Sequence, residues 1–519
     1  MEAIMMLIGV IAFSISFFVS VLHHIHIYQL NYYKDKVQLN WIKKNIKDIV
    51  KKDILLIITL PFLIIFFNNI IMPIIASIIL IIVAIINRPK AAKKPLVYTS
   101  RIKRLIATIG IIIYTIIAVT YLVLDNMQIS YIVMFVLNLL VPLIVLFGNL
   151  INKPINYAIN QYYINDARKI INSMPNLIVI GVTGSYGKTS VKNFLYKFLS
   201  TKYNVLITPE NYNTTLGVVK TIRSSLKATH DIFVCEMGAT KLGDIKEICD
   251  LVKPKYGVVT SIGPQHLESF GSIENVVKTK FELIDSLPAD GIAFLNYDND
   301  HIANNNVDKE VIKYGVAKGE VKPFDIKGTN KGLEFKIKDS NDNEISFSTK
   351  LIGDHNVENI MGAMAVANYF KIEYKDLVSR VRQLESVPHR LELIKRGNNL
   401  IIDDAYNSNP NGARSALKAL SKFEGIKILV TPGMIELGEK QYESNFEFGV
   451  YAADVCDYIV LVGKEQTKPI YEGIISTKYD ENKVLVVDDL MEGLNQIDKI
   501  DSNNLQKIIL LENDLPDNY

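Results

Sequence analysis

Cysteine is scarce: Cys235, Cys249 and Cys456 are the only three in 519 residues, and none stands in a C-x-x-C pair. That excludes a zinc ribbon and a disulfide scaffold and fits a reducing compartment. Net charge is close to balance, +3 from 57 basic and 54 acidic side chains, with no basic patch interleaved with aromatics. No nucleic-acid partner is expected. Internal repeats and low-complexity tracts are absent, and no basic leader precedes the first apolar run, which argues against a cleaved signal peptide.

What the chain has in excess is apolar residues, 49% with a mean hydropathy of +0.18, more than a purely soluble enzyme carries. The excess sits at one end, in five runs near 4–22, 53–67, 70–87, 105–124 and 129–150. They read as about five transmembrane helices, several long enough to cross ~30 Å of hydrocarbon, although 53–67, the shortest, and its successor could instead form a hairpin that does not fully span. Lysines fill one connection (Lys34, Lys36, Lys43, Lys44, Lys47, Lys51, Lys52), and Arg88, Lys90, Lys93, Lys94, Arg101, Lys103 and Arg104 fill another. The alternate connections, Asn68-Asn69 and 125–128, carry no Lys or Arg. The charge bias places both basic loops in the cytoplasm, so an odd number of spans leaves the N-terminus outside and everything after Lys153 inside. The expectation is a multi-pass region of the cell membrane.

From Asn176 onward, short β-branched runs at 205–208, 231–235, 257–261 and 292–295 alternate with helical patterns, which indicates a mostly parallel sheet wrapped by helices. Alternation at 333–337 and 345–348 predicts antiparallel strands ahead of a helix over 355–369. After Pro388 the rhythm resumes at 400–402, 427–430, 458–462, 484–487 and 507–511 without a second phosphate loop. The fold class expected is an α-helical membrane region over 1–155 followed by α/β: a central P-loop ATPase domain over 172–384 and a C-terminal Rossmann-like domain over 385–519.

Chemistry is concentrated in GVTGSYGKTS, 181–190, between a strand-like run and a helical pattern. Gly184 and Gly187 let backbone N–H groups close around an anion, and the helix start at Lys188, Thr189 and Ser190 adds a positive dipole end. Lys188 reaches β/γ-phosphates and Thr189 can hold Mg²⁺, so this reads as an ATP site. The usual spacing G-x-x-x-x-G-K-[ST] asks for a glycine where Val182 stands. Downstream, one strand delivers Glu236, a candidate Mg²⁺ ligand or else a capping or salt-bridging carboxylate. Another leads to His266 on a loop at the same edge. By itself, Lys280 on a helical stretch reads as a solvated lysine.

Together with ENYNTTLG (210–217), CEMGATKLGDI (235–245), TSIGPQHLESFGS (260–272), TKFEL (279–283), GDHNVENI (353–360), HRLE (389–392), DDAYNSNP (403–410) and PGMIELG (432–438), the ordered set resembles the Mur ligases, most closely their D-alanyl-D-alanine-adding branch, over roughly 172–500. The resemblance implies that Gly184, Gly187, Lys188, Thr189 and Ser190 contact ATP. Thr189 and Glu236 would hold a first Mg²⁺, with His266 and a carbamylated Lys280 holding a second. Carbamylation turns an ammonium into a carboxylate-like ligand for a hard cation. Asn356 and Asn359 would meet the adenine, and Arg390 and Asp404 would close over the nucleotide. Asn213, Thr214 and Thr215 would line the acceptor-carboxylate side. Lys188, His266 and Lys280 are the implied catalytic residues.

The reaction this implies is attack of a carboxylate on the γ-phosphate of ATP, giving an acyl phosphate, from which an amine displaces phosphate to form an amide. Two departures stand out. Apolar runs replace the family's soluble UDP-sugar-gripping domain, and LLENDLPDNY (510–519) stands where the family carries a Lys-Gly-Ser segment. The expected function is a membrane-anchored, ATP-dependent amide ligase of cell-envelope synthesis, joining an amino acid or dipeptide to a carboxylate on a nucleotide-linked muramyl peptide or lipid-linked glycan. Two alternatives are a poly-γ-glutamate synthase-like ligase, which the motifs after residue 350 oppose, and an ATP-driven transporter, which lacks its signature helix. Topology is directly testable: reporters fused after Lys153 should read cytoplasmic and a tag ahead of Met1 should be reachable from outside, and the reverse pattern contradicts the charge argument.

Overall fold

The computed structural model describes residues 2–67, 71–88, 94–264, 267–339, 341–406, 408–435, 437–501 and 504–515. It divides into two compact units, the residues up to Gln161 and Tyr162–Asp514, with the division falling inside helix Val141–Asn172.

The first unit is helical throughout, as expected of apolar runs that satisfy their backbone groups internally. Two helices, Glu2–Leu30 and Ser100–Leu122, are long and apolar enough to cross a membrane. The last run is broken: Met127–Leu139 and Val141–Asn172 meet at 80°, so they count as one bent span at most. Pro142 accounts for the break, since it has no N–H to give the Asn138 carbonyl. Helices Ile54–Phe66 and Ile71–Ile86 have 13 and 16 residues. At about 1.5 Å per residue they reach roughly 20 and 24 Å, short of ~30 Å. The five apolar runs thus resolve into two long apolar helices, or three spans with the bent pair, and two short helices. Asn68-Asn69, Lys90 and Lys93 lie outside the described residues. Phe13, Tyr28, Leu56, Leu80, Tyr131 and Val145 form this unit's core. Two buried polar pairs cross between its helices, Asn138 Nδ2 with Ser16 Oγ at 2.9 Å and Asn152 Nδ2 with Thr108 Oγ1 at 2.9 Å, while Ser20 Oγ and Asn138 Oδ1 have no partner among the described residues.

The second unit is built on three sheets. The first comprises β1 (Ile178–Thr183), β2 (Val205–Ile207), β3 (Ile232–Glu236), β4 (Tyr256–Val259), β5 (Ile292–Asn296) and β6 (Glu310–Tyr314), all parallel, in the order β2-β3-β1-β4-β5-β6. Their side chains alternate between two cores. Ile180 and Val182 of β1 face helices Lys188–Leu199 and His355–Tyr369, whereas Val179 faces a core containing Val218, Ile248 and Leu283. Such near-continuous apolar strands are what a parallel sheet covered on both faces requires.

A smaller antiparallel sheet follows: β7 (Phe324–Thr329), β8 (Gly332–Lys338) and β9 (Glu344–Thr349), paired in order. The third sheet runs β10-β11-β15-β12-β13-β14, from β10 (Glu392–Arg396), β11 (Asn399–Asp404), β12 (Ile426–Thr431), β13 (Tyr458–Val462), β14 (Val484–Val487) and β15 (Lys507–Glu512). Only β10 is antiparallel to its neighbour. Strands β6, β7 and β10 were not foreseen, because their half-exposed, charged faces (EVIKY, FDIKGT, ELIKR) dilute the apolar signal.

Because residues 162–514 hold their own cores, this segment expressed alone should show a cooperative urea transition. Phe294, fully buried in β5, is its most sensitive probe. Phe294→Ala should cost about 3–5 kcal/mol by urea denaturation, and a loss below about 1 kcal/mol contradicts the packing described.

Candidate active site

Ligand-binding groups in an α/β sheet gather beyond the carboxyl ends of its strands, and β1 ends in the glycine loop. Two glycines are required there. Gly184 (φ +151°) would carry a Cβ 2.0 Å from Thr260 Oγ1, and Gly187 (φ +80°) one 2.3 Å from Asn359 Oδ1. The loop is pinned to the end of β4, with Ser185 N donating to Ser261 O at 2.6 Å and Ser185 Oγ to Gly263 O at 3.1 Å. Gly187 caps helix Lys188–Leu199, so its first N–H groups face the loop. Lys188 turns its ammonium inward onto the carbonyls of Gly184 and Ser185, at 2.7 and 2.8 Å. Burial of that ammonium lowers its pKa to about 8, with Glu236 opposing and Arg390 adding to the shift. Ser190 sits half-buried in the same first turn.

Glu236 ends β3 with 1% of its surface exposed. Its Oε1 accepts from Thr189 Oγ1 at 3.2 Å and from Asn213 Nδ2 at 3.0 Å. Its Oε2 lies 3.0 Å from Lys192 Nζ as an ion pair but has no aligned hydrogen-bond donor. Burial alone would raise this carboxyl; the charges of Lys192 and Lys188 and the Asn213 bond outweigh it and hold the pKa below the ordinary value. A buried anionic oxygen without an aligned donor, beside a threonine hydroxyl at a phosphate cradle, fits a hard divalent cation. Lys192 itself is a residue the sequence did not single out, since a lysine on a helix reads as solvated until its burial is seen.

Lys280, on helix Ile273–Asp285, is 3% exposed rather than solvated. No hydrogen-bond acceptor reaches it among the described residues, and its Nζ lies 5.9 Å from the Phe270 ring centre. Burial, then the nearby Lys188 charge, pushes its pKa well below the ordinary lysine value. His266 lies outside the described residues.

Asn356 and Asn359 are both buried; Asn356 donates to Ile352 O at 2.8 Å, and Asn359 backs onto Gly187. His355 beside them was also missed. Burial lowers its pKa to about 4, with the Arg390 charge adding and Asp354 opposing, and its Nδ1 has no partner among the described residues. Arg390 stands on a turn whose neighbours His389 (φ +61°) and Leu391 (φ +48°) are left-handed. Its Cζ lies 4.4 Å over the Tyr406 ring and its Nε is likewise unpartnered. Asp404 accepts from Leu391 N at 3.1 Å, so it fixes the turn that presents Arg390; burial raises its pKa to about 6. Of the acceptor-side residues, Asn213 faces Glu236, Thr214 caps helix Thr215–Ser225 through Gly217 N at 3.3 Å, and Thr215 bonds Glu247 Oε2 at 2.8 Å.

The fold and the cradle define a nucleotide-binding α/β enzyme with a phosphate loop and an appended Rossmann-like sheet. The Mur ligase middle domain matches residues 182–367, and the Mur ligase glutamate ligase domain matches 389–511. The UDP-N-acetylmuramoyl-tripeptide–D-alanyl-D-alanine ligase of Bacillus subtilis is 34% identical over 291 residues, 55% of this chain and 63% of that enzyme. Its Escherichia coli counterpart is 30% identical over 330 residues, 61% of this chain and 73% of the relative. MurF from Acinetobacter baumannii superposes with a TM-score of 0.62 at 27% identity, covering 68% of this chain and 77% of that one. The chain belongs to the Mur ligase family, whose members are ATP-dependent amide ligases. Residues before 182 lie outside both family matches.

At the carboxyl edge of the third sheet, Glu512 stands in register with Asp404 and is fully enclosed. It accepts hydrogen bonds from Ser408 and, at 3.1 Å, from Thr431. Burial pushes its pKa up to about 8, with the Asp404 charge adding. An unfolded glutamate ionises near pH 4.5, so between there and pH 8 the unfolded chain releases a proton that the folded one keeps. Stability should therefore fall as pH rises through that window. Glu512→Gln should flatten the decline, by on the order of a few kcal/mol in urea titrations at pH 5 and 8, and an unchanged slope contradicts this assignment.

Proposed function

We propose that this protein is a membrane-anchored, ATP-dependent ligase of cell-envelope synthesis that forms an amide between a muramyl-peptide carboxylate and an incoming amine of the D-alanyl-D-alanine type. The observation that carries it is the meeting of Lys188, Thr189 and Glu236 at one strand edge beneath a glycine cradle. The relatives' names supply the substrate class. The two long apolar helices support anchoring, and the positive loops a cytoplasmic catalytic unit.

In this reading the backbone N–H groups of 185–189 grip the phosphates, and Lys188 leaves the Gly184 and Ser185 carbonyls to follow the charge on the transferring γ-phosphoryl. Thr189 and Glu236 hold Mg²⁺, which when bound neutralises phosphate charge. Asn213 holds the Glu236 carboxylate in place, and Arg390 meets the nucleotide from the third sheet's side. The acceptor carboxylate attacks phosphorus and the leaving group is ADP. The amine then attacks the acyl carbon and expels phosphate. Lys280 is buried with no acceptor among the described residues, and that burial favours the neutral amine, the form that adds carbon dioxide; a carbamate there would give His266 an anionic partner for a second cation. The acceptor is a UDP-linked muramyl tripeptide, as in the relatives' names, or a lipid-linked equivalent.

Phosphate release from ATP with D-alanyl-D-alanine, supplied with either UDP-N-acetylmuramoyl tripeptide or a membrane extract, tests the assignment. Lys188→Ala should lower turnover about 100-fold or more while leaving membrane insertion intact. Retained ligation in that variant removes the ATP assignment. Lys280→Ala should lose most activity and recover part of it with a short carboxylic acid at high concentration, whereas Lys280→Arg should not recover. A fully active Lys280→Ala contradicts the carbamate.

A further inference from the structure

The reaction as drawn leaves Lys192 without a task, yet burying an ammonium is costly unless every proton finds an acceptor. Lys192 lies one turn beyond Lys188 on the same helix, and its side chain is 1% exposed. It spans two structures: Nζ is 3.0 Å from Glu236 Oε2 and donates to the backbone carbonyl of Glu210 at 2.7 Å. Glu210 opens the 210–217 segment with φ +42°, a left-handed conformation that a residue other than glycine keeps only when its surroundings hold it.

Behind that point the loop is tightly strapped. Tyr212 N donates to Pro209 O at 3.0 Å, Asn213 N to Asn211 O at 2.7 Å, and Gly238 N to Asn213 O at 2.7 Å. The Asn213 amide returns to Glu236 Oε1 at 3.0 Å, closing a ring of contacts that passes through both oxygens of one carboxylate. There is no slack on either flank, since a Cβ on Gly238 would lie 2.7 Å from Asn213 Oδ1 and one on Gly217 2.9 Å from Tyr212 Cα. The third sheet's side reaches the same loop, with Asn211 Nδ2 3.4 Å from Tyr406 Oη.

We propose that Lys192 is a positioning residue that couples the 209–215 loop to the nucleotide site, so that the placing of Glu236 and the placing of the acceptor-side loop are one event. This rests on the roles given above to Glu236 and to that loop. When Glu236 turns toward a cation at the cradle, Lys192 keeps an acceptor only by staying on Glu210 O, and that carbonyl is what holds the loop's strained entry. The loop therefore registers the state of the metal carboxylate without touching the nucleotide.

Hydrogen exchange on the full chain in detergent tests this with Mg²⁺ and a non-hydrolysable ATP analogue as probes. In the ligand-free protein, Lys192→Met should speed exchange at Tyr212, Asn213 and Gly238 about tenfold or more, with the β8–β9 hairpin unchanged as the reference for intact folding. Lys192→Arg, which keeps a charge and several donors, should restore most of the protection. Adding the probe should slow exchange at those three amides in the wild type but not in Lys192→Met, while residues 185–189 become protected in both. Should Lys192→Met unfold the hairpin as well, Lys192→Arg against Lys192→Gln gives the same comparison. Equal exchange at the three amides in wild type and in the uncharged variant overturns the proposal. Failure of the probe to protect 185–189 in the wild type instead contradicts the nucleotide site, and the ligand-free comparison still judges Lys192.

Discussion

A single buried charge pair organises the carboxyl edge of this protein's first sheet. The Glu236 and Lys192 side chains are 2% and 1% exposed and 3.0 Å apart, in a setting where either one alone would carry a heavy desolvation cost. Removing one partner of such a pair costs about 3–5 kcal/mol in general, whereas the intact pair adds little net stability. Its value here is geometric. It fixes the end of β3 against the phosphate-loop helix and brings Thr189 and Asn213 onto one carboxylate oxygen while leaving the other without an aligned donor. The cradle glycines, the inward-turned Lys188 and the strapped acceptor-side loop are all arranged around that carboxylate.

Much of this was legible in the residues. The glycine loop between a β-branched run and a helical pattern has one physical use, and the strand that ends in Glu236 and the one that ends just ahead of Thr260 and Ser261 announce their own edge. The alternation in β8 and β9 gave a correct antiparallel pair. Illegible were the features made by non-local burial. Lys192 differs in no local respect from Lys197 on the same helix, yet Lys192 is buried and Lys197 is not. Its burial follows from where the 209–215 loop crosses, and no periodicity records that. His355 and Glu512 were passed over for the same reason. In the first unit, hydropathy located every apolar run and allowed that 53–67 and its successor stop short of spanning, as the helices at 54–66 and 71–86 do, but it did not show the bend at Pro142.

The chain departs from its relatives at both ends, and each departure has a physical content. Ahead of residue 162 stands a helical unit with its own core, in which Asn138 pairs with Ser16 and Asn152 with Thr108 across helices. At the other end, β15 ends in Glu512 at the carboxyl edge of the third sheet, just past the stretch the family's C-terminal domain matches. The side chain is accommodated as a protonated carboxyl against Ser408 and Thr431, next to an Asp404 that itself ionises late. Asp404, its register partner, in turn fixes the turn that presents Arg390.

The account stands or falls on Glu236 and Thr189 holding a cation only together with a nucleotide on the cradle. Electron paramagnetic resonance of Mn²⁺, titrated into the protein with and without a non-hydrolysable ATP analogue, measures this directly. Tight binding that appears only with the analogue, and weakens about tenfold or more in Glu236→Gln, is the predicted result. Equal Mn²⁺ binding by wild type and Glu236→Gln, or binding indifferent to the nucleotide, would contradict it.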